Sequence, residues 1–172
     1  MIKKINGIQP IIHSSCFVAE TALVAGQVEL QENSSIWYGT SLRGDIAPIV
    51  IGKNSNVQDC CSIHVSENLG TYIGDNVTIG HGANIHGCRI GNNTLIGMGA
   101  IILDGAVIGN NCLVAAGALV TPRTVIPDGN MVVGSPAQVK RPLKDQEIDS
   151  ILQNAKVYID LAAVFSKGEE IC

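Results

Sequence analysis

Residues 73–137 read IGDNVTIGHGANIHGCRIGNNTLIGMGAIILDGAVIGNNCLVAAGALVTPRTVIPDGNMVVGSPA, and this stretch decides the fold. An Ile or Val recurs at Ile73, Ile79, Ile85, Ile90, Ile96, Ile102, Ile108, Val114, Val120, Ile126 and Val132. Every step is six residues except the five from Ile85 to Ile90. That period matches neither a helix nor a coiled coil. It is the mark of a hexapeptide solenoid, whose units cannot bury an apolar face until they stack.

The chemistry of each position follows. The branched residue at position one points into a triangular prism. Position five must be small to fit near a corner, and Ala83, Ala100, Ala106, Cys112 and Ala118 stand there. Position two is repeatedly Gly, as at Gly74, Gly80, Gly91, Gly97 and Gly109, which suggests a turn favouring a residue without a side chain. Three units make a coil of about eighteen residues, and coils stack at roughly 4.8 Å.

Working outward, the period weakens towards the N-terminus. Phe17, Leu23, Val28, Ile36, Leu42, Ile51, Val57 and Ile63 are taken as unit starts. Between Val65 and Tyr72 the period breaks, which predicts a loop leaving a corner. Beyond GSPA and KRPLK, the residues Ile148, Ile151, Leu152, Ala155, Tyr158, Ile159, Ala162 and Phe165 recur at helical steps. Asp145 reads as the N-cap and Gly168 as the C′ residue of an amphipathic helix packed along the prism. The expected organisation is a β-helix over 1–140 and a C-terminal helical segment over 141–172.

Composition agrees. The chain has 172 residues, 46% hydrophobic but only 3% aromatic, with 19 glycines, as a prism of small aliphatics requires. No apolar run reaches the length of about 18 residues that argues for a membrane span. The N-terminal apolar run is broken by Asn6, Gly7 and Pro10, against a signal peptide, so a cytoplasmic protein is expected. A net charge of −4 without runs argues against a nucleic-acid surface. Of six cysteines, only Cys60 and Cys61 adjoin; Cys61 and Cys112 fall in the small-residue slot, where packing accounts for them.

The chemistry lies in the exceptions to the repeat. Aligned by coil, Leu42, Ile63 and Ile85 share a column, so Arg43, His64 and His86 follow one another at position two. Two imidazoles one strand spacing apart can share a metal ion with Zn–N bonds of about 2.0–2.1 Å. On the adjoining face Asp59 and His81 share position three, and Gln58 fills the Gly slot. His81 and His86 lie on different faces, so a single metal with all three requires a second subunit. A three-fold assembly of prisms would bring His81 of one chain to His64 and His86 of the next. Isolated histidines on a prism surface are ordinarily just solvated, and His13 is read that way.

The segments IWYGTSLRGDIAPIVIGKNSNVQDCCSIHV, IGDNVTIGHGANIHGCRIGNNTLIGMGAIILDGAVIG and IPDGNMVVGSPAQVKR together resemble the γ-class carbonic anhydrase family. The resemblance spans nearly the whole chain. It implies a left-handed parallel β-helix, a homotrimer, and zinc held between subunits by His64, His81 and His86. It implies reversible hydration of carbon dioxide to bicarbonate. Gln58 resembles the residue that bonds the zinc-bound water. Arg43, Asp45 and Asp59 resemble the charged group near the metal and the subunit contact, where a purely structural ion pair is an equal reading. Tyr158 resembles a tyrosine that approaches the site, with core packing as the alternative. The chain departs from the archaeal prototype in two places. Ile46 follows the RGD aspartate where that enzyme has a glutamate, and Glu67 is the sole carboxylate of a short loop where it has a long acidic one. Iron(II) or cobalt(II) are alternative occupants of a three-histidine site. Two other classes stand beside this one: an acyltransferase or acyl-CoA thioesterase, and a non-catalytic trimeric binding protein.

Overall fold

The structure, a computed structural model, describes residues 1–168. Residues 169–172, the end of the expected helical segment, lie outside the described residues. The chain winds into a left-handed parallel β-helix of about seven coils and closes with one α-helix. Most strands are two residues long, the last residue of one hexapeptide and the first of the next, as in Thr78–Ile79 and Leu95–Ile96. Because side chains alternate along a strand, position one turns inward and position six outward.

Position-one residues stack in three columns. One face carries Leu42, Ile63, Ile85, Ile102 and Val120. The second carries Ile51, Ile73, Ile90, Ile108 and Ile126. The third carries Ile36, Val57, Ile79, Ile96, Val114 and Val132. All sixteen are buried, and none exceeds 3% exposure. Each contributes about 1.5–3 kcal/mol of apolar burial.

The corners explain two residue preferences. Position four takes the left-handed backbone: Asn33, Asn54, Asn76, Asn93 and Asn111 have φ of 56°, 59°, 55°, 55° and 53° at the corner between the second and third faces. Their carboxamides bond rung to rung, each Nδ2 donating to the Oδ1 of the next coil at 3.2, 3.1, 3.0 and 3.1 Å. Gly at position two has a different cause from the one expected. Gly97 does not need a positive φ, but a Cβ there would lie 2.4 Å from the Ala116 nitrogen of the next coil. Close stacking, not turn conformation, accounts for the glycines in that slot.

The first coils depart from the expected phase. Val18, not Phe17, pairs with Ile36; Val24, not Leu23, pairs with Leu42; and Leu30, not Val28, pairs with Ile51. Apolar neighbours fill adjacent positions there, so the hydrophobic pattern alone leaves the phase ambiguous. Phe17 instead meets Trp37 with ring centroids 5.1 Å apart, beneath the C-terminal helix.

Two insertions bulge at the corner between the first and second faces, one within Ser41–Ile51 and one as the expected loop, closed by the Ser66–Leu69 bridge. At the far end Asn130–Gly134 turns back into the antiparallel strand Ala137–Pro142. The helix α1 runs Asp145–Phe165 on the third face and buries Ile151, Ala155 and Ala162. Its N-cap is Lys144 rather than Asp145, whose carboxylate falls in the first turn, where the helix dipole favours it. The Glu147 side chain bonds back to the Lys144 N–H at 2.8 Å and pairs with Arg141. Gly168 is not the C′ residue; the helix ends on Ser166 in ordinary helical conformation.

Candidate functional site

The expected site residues fall into two groups, one at each end of the first face. The register that pairs Ile63 with Ile85 also pairs His64 with His86. Their ring centroids are 5.0 Å apart, about one strand spacing, and His64 Nδ1 lies 3.0 Å from His86 Nε2. Arg43 follows Leu42 in the same column but does not reach the imidazoles; it pairs with Asp45. Asp45, carried back by the insertion after Gly44, is the residue that meets His64, with Oδ1 2.8 Å from Nε2. Burial works to raise the Asp45 pKa, but the His64 hydrogen bond, its own backbone and Arg43 together hold it below the usual value. On the other side His86 Nδ1 bonds the Asp104 carboxylate.

The result is a line of four side chains across successive coils: Asp45, His64, His86 and Asp104. Carboxylates only accept hydrogen bonds, so each outer imidazole nitrogen carries its proton. The inner nitrogens then face one another as lone pairs at 3.0 Å. Two lone pairs at that distance need a positive charge between them, a proton or a metal ion. The donor set therefore fits a cation.

The second group forms at the corner between the third and first faces. His81 Nδ1 lies 2.9 Å from Asp59 Oδ2, one coil above it at the same position. Its ring is 43% exposed. Gln58 is buried at 4% exposure. Its Oε1 accepts from the His81 backbone N–H at 3.2 Å, and its Nε2 donates to Asn56 at 3.3 Å. The carboxamide thus anchors the turn that presents His81. Tyr158 reaches this group from α1, packed edge-on against Trp37 at 5.4 Å. Burial, with the Asp59 charge second, pushes its hydroxyl up. Glu67 stands exposed on the Ser66–Leu69 turn, beside the first group.

Among the described residues no three His, Cys, Asp or Glu side chains of one chain converge on a metal position. His81 is separated from His64 and His86 by the width of the first face, as the sequence register requires. Asp104 was missed by sequence reasoning. Its signal was present: it stands at position three one coil below Gly87, beside His86, as Asp59 stands beside His81.

Known proteins resemble this chain over most of its length. The Bacterial transferase hexapeptide (six repeats) model matches residues 87–122. A Methanocaldococcus jannaschii protein named "Probable carbonic anhydrase" is 51% identical over 152 residues, covering 88% of this chain and 96% of that protein. The chain belongs to the γ-class carbonic anhydrase family. Gamma carbonic anhydrase 2, mitochondrial, of Arabidopsis thaliana is 46% identical over 161 residues, 90% of this chain. The chain spans 58% of that plant protein's length. Among solved structures, a hexapeptide transferase family protein from Anaplasma phagocytophilum superposes with a TM-score of 0.93 at 37% identity, covering 96% of this chain and 98% of that one. No helix of the described residues is long and apolar enough to cross a membrane.

Proposed function

We propose that this γ-class family member hydrates carbon dioxide reversibly to bicarbonate at a metal site shared between subunits of a homotrimer. His64 and His86 of one chain and His81 of its neighbour would hold zinc, with iron(II) or cobalt(II) as alternative occupants. The observation that carries the reading is the His64–His86 pair, stacked in register with its outer nitrogens tied to Asp45 and Asp104. Zinc, when bound, supplies a Lewis acid that lowers the pKa of coordinated water to about 7.

The chain's own residues do the rest. Asp45 and Asp59 each fix one imidazole, as carboxylates behind metal-bound histidines do. Gln58 spends one lone pair on the His81 N–H and one N–H on Asn56, so a second lone pair and a second N–H are left to orient the attacking oxygen. Arg43 holds Asp45 towards His64. Glu67, exposed on the turn beside this corner, carries the released proton to solvent. Tyr158 lines the approach next to Asp59.

The two half-sites sit at opposite ends of one flat face. A three-fold ring needs such a heterologous contact, in which one end of a face meets the other end of its neighbour's. A cytoplasmic location fits the five described cysteines, all of them free thiols.

A second reading is favoured by one feature. A cavity of about 270 Å³, lined by Gln58, Gly80, Met98, Val114, Ala116 and Asn154, opens beside the His81 group. It is roomier than carbon dioxide requires and mostly apolar, which suits transfer or hydrolysis of an acyl group. Metal content, carbon dioxide hydration and acyl-CoA hydrolysis measured on one sample separate the readings. Zinc near one ion per chain with chelator-sensitive hydration supports the first. Stoichiometric zinc with thioester cleavage alone overturns it.

A further inference from the structure

Resting on the metal reading above, we propose that Asp104 is a positioning residue that holds the His86 imidazole by Nδ1 and thereby aims Nε2 at the shared cation position. Asp104 belongs to the unit that begins at Ile102, one coil beyond His86. Its carboxylate accepts from His86 Nδ1–H, and Nε2 of the same ring points at His64.

The backbone around this contact is shaped to admit the carboxylate. Gly87 follows His86 in the chain and stacks directly on Asp104 of the next coil. A Cβ at Gly87 would lie 2.8 Å from Asp104 Oδ1, where real Cβ atoms are essentially never found. Gly87 also takes φ of +51°, and its carbonyl accepts the Gly105 N–H at 2.7 Å. The Asp104 carbonyl in turn accepts the Arg123 N–H at 2.8 Å. So the turn bearing Asp104 is fixed on both sides, by the coil above and the coil below. The carboxylate has no other hydrogen-bond partner among the described residues, which leaves orientation of His86 as its role.

An imidazole held only by its Cβ–Cγ torsion is free to flip, and flipping exchanges Nε2 for carbon. A carboxylate at Nδ1 removes that freedom and fixes the tautomer. Loss of such a partner lowers metal affinity by about 10- to 100-fold.

The test compares wild type with Asp104→Ala, Asp104→Asn and His86→Ala. Zinc dissociation constants come from competition with a chromophoric chelator. In parallel, the metal-free proteins labelled with ¹⁵N-histidine are examined for the hydrogen-bonded His86 Nδ1 proton, which needs neither metal nor activity. Asp104→Ala is expected to bind zinc about 10- to 100-fold more weakly and to lose the downfield imidazole proton. Asp104→Asn keeps an acceptor without the charge and should fall between. Melting of the metal-free variants should match wild type, because the carboxylate is 39% exposed and its removal opens no cavity. Wild-type zinc affinity together with a retained imidazole proton in Asp104→Ala overturns the role of Asp104. If wild type and His86→Ala bind zinc alike, the metal reading itself fails, and the two failures are told apart by that control.

Discussion

If the metal site is split between chains, two inactive proteins should make one active mixture. His81→Ala removes the ligand at one end of the first face, and His86→Ala removes a ligand at the other. Each alone should lose zinc and hydration, because two imidazoles and water hold zinc far more weakly than three. Unfolded together in equal amounts and refolded, the chains combine at random. A working site needs a His81→Ala chain supplying His64 and His86, followed around the ring by a His86→Ala chain supplying His81. Each of those two choices is right half the time, so about a quarter of all sites should recover in a heterologous ring. The His64–His86 pair and the His81–Asp59 pair share no hydrogen bond within a chain, so neither substitution should disturb the other half-site. Zinc per chain by elemental analysis and initial hydration rates, both referred to wild type refolded in parallel, read the fraction. Mixed trimers verified by native mass spectrometry but carrying no zinc would refute the split-site argument.

Other outcomes follow from single features. Glu67→Gln should slow hydration about tenfold or more at low buffer, with recovery on adding imidazole, as loss of a positioned proton carrier predicts; rates equal at every buffer concentration would reduce Glu67 to a solvated turn residue. Gly97→Ala, which drives a Cβ to 2.4 Å from the Ala116 nitrogen, should cost about 1–3 kcal/mol in chemical denaturation. Gly117→Asn should be nearly neutral by the same measurement, since its φ of +66° has open space and suits Asn; equal losses would refute the distinction between the two glycine slots. Burial pushes the Cys61 thiol up to about 11 and the Cys88 thiol up to about 12. At pH 8 both are protonated and enclosed, so aromatic disulfides should label them only after unfolding, while exposed Cys60 reacts in the native state. Labelling of Cys61 or Cys88 at the rate of Cys60, resolved by peptide mapping, would contradict that burial.

The six-residue period was legible because most units from Ile73 onward repeat one inward residue, one small corner residue and one turn. Register came with it: counting coils places His64 over His86 and Asp59 over His81. The phase of the first coils was not legible. Phe17-Val18, Leu23-Val24 and Val28 with Leu30 offer two apolar choices each, and only pairing with the next coil selects one. The meaning of Gly at position two was also hidden, since a close contact between coils leaves the same mark in a sequence as a strained turn. Asp45 was reached only through the family resemblance, and Asp104 escaped altogether, for opposite reasons. Asp45 lies in an insertion, where counting in sixes loses its reference. Asp104 lies in perfect register, but its unit ILDGAV resembles its neighbours, and only the imidazole above gives the carboxylate a purpose.

The carboxamide ladder from Asn33 to Asn111 makes successive coils interchangeable parts. Each rung offers a donor to one side and an acceptor to the other, so a coil inserted between Asn93 and Asn111 would find both waiting. The helix breaks that equivalence: Asn154 Oδ1 accepts from Thr78 Oγ1 at 3.1 Å, and Phe165 closes over Trp37 with centroids 5.2 Å apart. It acts as a ruler laid from the end of the prism back to the coils that carry Trp37 and Thr78. A protein lengthened by one eighteen-residue coil near its C-terminal end would keep its ladder and its two histidine corners. It would slide the ruler by about 4.8 Å, moving Tyr158 off Asp59 while leaving the imidazoles in place. Prism length and the placement of that tyrosine are therefore tied together by a single helix.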